Sequence, residues 1–592
     1  MKRKVLSITL TAVMALSSAI PALAEDKTAG KDFVTISLAY PEGTKIFDED
    51  YQTYSRLILR YADDKTVIPM SALCDDTFYA VVPAENAERT VEAYVMPEAK
   101  FTDDDDSFEI YIMEQAAQHG IVNGDDEGRA LPFADVTRAE ATAMAMRLLG
   151  VSKSDAADPG FDDVKKDDWF YGDVANAKAY GIVQGDDEKT FAPERNVSNE
   201  ELVTMIARTI AATGYQDIKK DVTDDEVNGY LNIADADKIS DRARGSYALL
   251  KNAAPYFNVE TDIPEDSPEG GYVVNYYYNP QESAKRYRTA RCADDAAAMY
   301  ITYPTKTAIE YGFDKKMPVI DGSTSTYPFT EAVYGNLFLN GYSHKGKPQK
   351  HSKSHASYER LINGEVDMLF ASVYPASDIL ELAKEKGVEL ELVPIAYDAM
   401  IFFTNADNPA TGLTSEQISK IYVDNAYENW KDIGGPDALL YPYCRNNDSG
   451  SHAQMERHFL NGKEINEKIR NETTSISMSN VLTDVMGAET KDPVGYALGY
   501  SIYYYFNNMD MFYDTSKNLK LLSVDGVEPN DKTIADGSYP LSNNTYIVLR
   551  KDTPEDAPAR KMAKFMLTPL GQKCVKEAGF GPLKADNITP FM

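Results

Sequence analysis

The sequence predicts a multidomain protein with a small N-terminal β-rich domain, helical repeats, and a C-terminal α/β part that holds a ligand between two lobes. Three observations carry this reading. The stretch Arg445-Asn446-Asn447-Asp448-Ser449-Gly450-Ser451 runs directly into the helical-looking His452–Leu460, which sets a fixed cation beside helix amides that have no intrahelical acceptor. A second such start lies about 120 residues upstream, where Pro318-Val319-Ile320 reads as a short buried strand, Asp321-Gly322-Ser323-Thr324-Ser325-Thr326 as a hydroxyl-rich turn, and Tyr327–Leu337 as the helix it opens. Finally, Gly120-Ile121-Val122-Asn123-Gly124-Asp125-Asp126-Glu127 recurs with one change at Gly181–Glu188, an offset of 61 residues.

Taken in chain order, Lys2-Arg3-Lys4 precedes an apolar run from Val5 to Ile20, and Ala22-Leu23-Ala24 supplies small residues for cleavage. Residues 1–24 therefore read as a secretory signal peptide rather than a span. No later segment offers about 18 consecutive apolar residues, so no membrane span is expected after signal removal. The first cysteine is Cys74, too far on to carry a lipid anchor, so attachment must come from elsewhere unless the protein is simply released. Residues 25–98 contain alternating stretches such as Phe33–Leu38 and Ala80–Val82 separated by turns, the pattern of a small β-rich domain.

Each repeat has an aromatic-led acidic opening (Phe101-Thr102-Asp103; Phe161-Asp162-Asp163) and a helix ending at the recurrent glycine. A second helix is begun by Val136-Thr137-Arg138-Ala139-Glu140 or Val197-Ser198-Asn199-Glu200-Glu201, with Thr137 and Ser198 as natural N-caps. A third, shortened copy is marked by Ile233-Ala234-Asp235 and Ile239-Ser240-Asp241 leading into Arg242–Ala253. The pattern resembles tandem S-layer homology modules, Thr137-Arg138-Ala139-Glu140 being the most specific signature. The modules span 99–158 and 159–218, with a partial third at 219–258. The resemblance implies attachment to anionic secondary cell-wall polysaccharide in grooves between modules, through Arg138, Glu140, Asp103, Asp163 and Trp169. Arg138 would meet negative charge and Trp169 would stack on a sugar face. Asn199 stands where the first copy has Arg138, so one groove lacks its cation. The plainer alternative is a helical spacer. Glu260–Gly271, rich in acids with two prolines and paired glycines, reads as a linker, and 259–315 as a linker and extended arm.

Beyond it, Leu361–Phe370, Val393–Asn405, Leu413-Thr414, Ile418 to Trp430 with Gly434-Gly435, Gly495-Tyr496-Ala497, Gly537–Leu541 and Gly571–Leu583 follow in a characteristic order. That series resembles the PstS family, the substrate-binding proteins of phosphate ABC transporters, within a domain at 316–592. The resemblance implies a type II periplasmic-binding-protein-like fold whose two α/β lobes close on a dehydrated tetrahedral oxyanion, with no bond made or broken. By position, Ser323, Thr324 and Ser325 form one seat, Ser354 a second, and Arg445, Ser449, Gly450 and Ser451 the third. Two departures stand out. Ala371-Ser372-Val373-Tyr374-Pro375 occupies the place of an acidic proton acceptor in well-known phosphate receptors, and Asn447 that of an aspartate bracing their arginine. An acceptor carboxylate is what distinguishes protonated phosphate from fully ionised sulfate, so the ligand is expected to be phosphate or a related oxyanion.

Composition narrows the partners. The 592 residues, 43% hydrophobic and 11% aromatic, can fill several cores. A net charge of −33 argues against nucleic acid or anionic membrane. It does not prevent anion capture, since surface acids beyond about 10 Å are screened while Arg445 and the amides act at contact. The acidic run Asp103–Asp106 lacks the alternation of a calcium loop. Cysteines 74, 292, 444 and 574 have no metal spacing, and three full disulfide pairings are open to them. Cys444 has no base tied to it by motif. His344, His351 and His355 fall in a basic loop expected near the ligand mouth. With no nucleophile–base set, metal motif or cofactor signature, a binding protein is expected rather than an enzyme, and the PstS resemblance implies that it delivers its ligand to an ABC permease. The competing reading is a structural S-layer or adhesion protein whose receptor-like domain binds nothing.

Overall fold

A computed structural model describes residues 33–39, 57–75, 77–151, 157–229, 233–251, 253, 258–262, 273–372, 374–447, 449–490 and 495–583. The signal peptide at 1–24, Val373 and much of the expected linker fall outside these residues. The chain divides into two compact units, residues 1–305 with Phe338–Lys345, and residues 306–337 with 346–592.

In the first unit, strand Phe33–Ala39 pairs antiparallel with Thr77–Pro83, which also pairs with Ser71–Cys74. Leu57–Tyr61 pairs with Val67–Ile68 and Val91–Val95. Ile36, Leu59, Tyr61, Ile68, Leu73 and Phe78 fill the core of this β-rich part. Fully burying a side chain of this kind is worth about 1.5–3 kcal/mol.

The helical region that follows is a closed ring of three repeats. Each repeat is tied by one carboxylate that accepts two successive backbone N–H groups from a turn far downstream. Asp103 takes the amides of Ala130 and Leu131 at 2.7 and 2.9 Å, and Asp163 those of Phe191 and Ala192 at 2.8 and 2.7 Å. Asp235 takes those of Tyr278 and Asn279, both at 2.8 Å. The second residue of each turn has positive φ (Leu131 49°, Ala192 59°, Asn279 46°), and each is followed by proline: Pro132, Pro193, Pro280. At the centre, Val197 N–H donates to Val136 O, Ala284 N–H to Val197 O, and Val136 N–H back to Ala284 O. The first-turn amides of helices Arg138–Leu148, Asn199–Ala212 and Arg286–Tyr300 likewise donate to the next repeat's proline segment, through Arg138 to Arg195 O, Asn199 to Glu282 O, and Arg286 to Ala134 O.

This corrects the expected linker and arm at 259–315. Residues 258–262 and 273–277 form an antiparallel hairpin, and 278–300 supply the closing half of the third repeat. Two features hide the repeat. The tie that spans 27 residues from Asp103 to Ala130 spans 43 from Asp235 to Tyr278, and the signature reads Lys285-Arg286-Tyr287-Arg288. Lys285 makes no side-chain cap, whereas Thr137 and Ser198 form capping boxes with Glu140 and Glu201.

The second unit is built on one sheet with the strand order Ile320–Gly322, Met368–Ala371, Ser542–Arg550, Leu390–Asn405, Gly495–Ile502, Leu439–Pro442. Its 16-residue strand Leu390–Asn405 serves two lobes. Residues Leu390–Ala399 pair with Ser542–Arg550, whereas Met400–Asn405 pair with Gly495–Ile502 and Leu519–Val524. Separate cores follow: Tyr358, Leu361, Leu369, Ile379 and Val548 in one lobe, and Ile401, Phe402, Trp430, Leu482 and Leu522 in the other. This is the two-lobed α/β architecture expected. The four cysteines are buried and free. Among the described residues no helix is long and apolar enough to cross a membrane.

Candidate oxyanion site

A cavity of about 200 Å³ in the second unit is lined by Ser323, Thr324, Ser325, Ser354, Arg445, Ser449, Gly450 and Ser451, so all eight oxyanion candidates come together. They arrive on helix starts. Thr324–Thr326 is a 3-10 turn leading into helix Tyr327–Leu337, Ser354 opens helix Ser354–Asn363, and Ser449 caps helix Gly450–Met455 by accepting from His452 N–H at 3.1 Å. Sequence reading missed a fourth. Ser477 and Ser479 also line the cavity, and Ser477 caps helix Met478–Met486 through Asn480 N–H at 3.0 Å. The signal was present, since Ser-Met-Ser before an apolar helix repeats the pattern of Ser449-Gly450-Ser451. Lys353, Ser372, Asn446 and Tyr505 complete most of the remaining wall.

The first seat is held rigidly from below. Buried Asp321 accepts from Gly322 N–H and Ser352 N–H, both at 2.8 Å, and from the Ser352 hydroxyl and Arg360 Nη1. One carboxylate thus joins the Ser323–Ser325 turn to the loop before Ser354. Gly322 is obligatory here, because a Cβ would lie 2.2 Å from Phe370 O. His351 Nδ1–H donates to Ser323 O at 2.9 Å while Nε2 accepts from the Thr330 hydroxyl at 2.9 Å. Burial lowers its pKa, so it is a neutral brace beneath the turn and not a group at the ligand mouth. His344 belongs to the other unit, its pKa pulled down to about 4 by burial. His355 follows Ser354 and pairs with Asp378 at 2.7 Å.

Arg445 is 5% exposed. Its Nε donates to Ser475 O at 3.1 Å, and the Ser475 hydroxyl in turn donates to Asp484 at 2.5 Å. Its Nη1 is buried without a hydrogen-bond partner, as is the hydroxyl of Ser451. No carboxylate lies within ion-pair distance of Arg445 among the described residues. Burial lowers its pKa, opposed by Tyr500 and Tyr505, yet a guanidinium stays cationic at neutral pH. Asn447 is exposed and absent from the cavity wall, so the Ser475 carbonyl orients the guanidinium. A buried cation with an unused N–H, faced by hydroxyls and helix starts, is an incomplete electrostatic arrangement that a small anion completes.

In the first unit Arg138 is 8% exposed, packed 4.9 Å from the Phe191 ring centroid. Its guanidinium donates to Gln184 O and reaches Glu201 at 3.4 Å. Its equivalent in the third repeat, missed by sequence reading, is Arg286, which donates to Asn123 O at 2.6 Å and reaches Glu140 at 3.4 Å. Asn199 donates instead to Asn279 O at 2.9 Å. Arg138 and Glu140 therefore sit at seams of the ring, whereas the Asp103 and Asp163 carboxylates are engaged inside their own repeats. Trp169 presents its indole at 53% exposure.

Comparison with known proteins agrees with both halves. A model described as PBP superfamily domain matches residues 319–569, and one described as S-layer homology domain matches 100–142 and 160–203. The phosphate-binding protein PstS of Borreliella burgdorferi is 30% identical over 226 residues, 38% of this chain and 76% of that protein. Protein SphX of Synechococcus elongatus is 26% identical over 288 residues, 47% of this chain and 81% of that protein. Among solved structures, a phosphate ABC transporter substrate-binding protein with bound phosphate from Clostridium perfringens is 25% identical, covering 45% of this chain and 98% of that one with a TM-score of 0.34. On the identity and coverage shared with the Borreliella protein, the chain belongs to the PstS family of the PBP superfamily, and it carries S-layer homology domains ahead of that part.

Proposed function

We propose that the protein is a wall-anchored receptor that captures phosphate or a related tetrahedral oxyanion and delivers it to an ABC permease. Membership of the PstS family makes it a binding protein and not an enzyme. The observation that carries the reading is Arg445, buried, cationic and with Nη1 unused, in a cavity walled by serines and helix starts. The S-layer homology domains supply a cell-surface anchor, with secondary cell-wall polysaccharide as their partner. Calorimetry of the full chain with phosphate, sulfate and arsenate tests the receptor reading. Arg445→Ala should weaken binding about 10- to 100-fold, the worth of a charge-assisted hydrogen bond. Wild-type protein that binds none of them below about millimolar would leave a structural wall protein as the better description.

A further inference from the structure

We propose that Lys353 is a second cation for the bound oxyanion, and that the Lys353–Arg445 pair makes this cavity a site for doubly charged tetrahedral oxyanions. The inference rests on the reading of the cavity given above and names its ligand class.

Lys353 has φ 79° and ψ 165°, a backbone region that residues with a Cβ avoid and glycine occupies freely. Lysine is therefore a strained choice at this position, where glycine would fit without strain. Such strain persists where the surroundings hold it, and it concentrates at ligand sites. Here it falls immediately before Ser354, with the Lys353 carbonyl accepting from Ser357 N–H at 3.0 Å in the first turn of helix Ser354–Asn363. Lys353 lines the same cavity as Arg445 and is itself exposed, so its four-carbon stem can carry the ammonium to a ligand held there. Among the described residues no carboxylate lies within ion-pair distance of its ammonium. A lysine nearby in the same loop is different: Lys347 meets the Tyr327 hydroxyl at 2.8 Å and Glu331 at 3.8 Å.

The charge count then selects a ligand. The described wall holds two cations, Lys353 and Arg445, and no carboxylate. A monoanion leaves one positive charge uncompensated, whereas a dianion neutralises both. For a ligand proton the described wall offers only uncharged acceptors, the serine hydroxyls and Asn446 Oδ1, which is buried without a partner. Hydrogen phosphate dianion and sulfate both satisfy the charge count, and only the former has a hydrogen to donate to Asn446 Oδ1. The other titratable side chain in its described wall is Tyr505, its phenol pushed up to about 12 by burial, while His355, next to Ser354, pairs with Asp378.

The test is calorimetry of the full chain with inorganic phosphate and sulfate, across the second ionisation of phosphate. Phosphate affinity should climb with pH while sulfate affinity stays level, and sulfate reports any titration of the protein's own groups. Lys353→Gly should melt no lower than wild type, because strain is relieved, yet bind both anions at least about fivefold more weakly; Lys353→Arg should retain binding. Wild-type affinity in Lys353→Gly, or phosphate binding that falls as the dianion forms, would overturn the inference while a loss in Arg445→Ala still upheld the cavity. If wild type bound neither anion, the receptor reading itself would fail.

Discussion

Asp398 offers a pH-dependent test of the lobe architecture. It sits where strand Leu390–Asn405 passes from one lobe to the other, opposite Asn543. It is fully buried, and Oδ1 accepts from Ala399 N–H at 2.8 Å and Tyr504 N–H at 3.4 Å. Oδ2 has no partner, and neither do the Asn543 side-chain oxygen and nitrogen. Burial pushes the carboxyl up to about 8 against weaker opposition from the two amides. In the unfolded chain it ionises near 4. Between those values the native state binds one more proton than the unfolded state, so stability falls as pH rises, by about 1 kcal/mol per pH unit. The full penalty, on the order of 5 kcal/mol, is present above about pH 8 and absent below about pH 4. Asp398→Asn keeps an acceptor for the two amides, gives Asn543 a neighbour that can donate, and removes the charge. Urea unfolding read by fluorescence of buried Trp430, in a Trp169→Phe background, isolates this unit. The Asn variant should match wild type near pH 4 and exceed it progressively up to about pH 8, above which the gap levels off. Parallel pH profiles for the two proteins would refute the argument.

Other consequences follow from single contacts. Asp235→Ala should lower the stability of the first unit by about 1–3 kcal/mol, because two amides lose their acceptor; thermal melting should show the same loss in Asp103→Ala and Asp163→Ala, and a silent Asp235→Ala would mean the third repeat is not held as described. Gly322→Ala should cost at least about 2 kcal/mol and abolish tight anion binding, since its methyl would strike the Phe370 carbonyl; wild-type calorimetry of this variant would contradict the rigidity assigned to the first seat. Trp169→Ala should reduce retention on purified wall glycan several-fold without changing the melting temperature, and unchanged retention would remove the exposed indole from the glycan site.

Much of the candidate oxyanion site was legible because helix starts announce themselves locally. Ser323–Ser325, Ser354 and Ser449–Ser451 are hydroxyl clusters before apolar periodic segments, and the fold brings all of them to one cavity. Ser477-Met478-Ser479 carries the same signal but, unlike Ser449–Ser451, has no cation in the six residues before it. Lys353 was not legible as special, since strain lives in a backbone angle that residue identity does not reveal. The ring of repeats was two-thirds legible. Its third member kept Asp235 and Pro280 but lost the spacing and the Thr-Arg-Ala-Glu signature, so its closing half is exposed by the tie from Asp235 to Tyr278 and Asn279 and by the backbone bonds of Ala284 and Arg286. Arg138 shows a further limit. Its sequence context marks a seam, but its burial against Gln184 and Phe191 depends on a neighbouring repeat 61 residues on.

Buried and incompletely bonded, Arg445 is the group proposed to hold a tetrahedral oxyanion. A crystal structure of the protein grown with phosphate tests it most directly. An anion is expected within hydrogen-bond distance of Arg445 Nη1 and the Ser451 hydroxyl, with Lys353 beside it. A cavity filled by its own side chains, or an anion bound elsewhere with Nη1 still unpartnered, would contradict it.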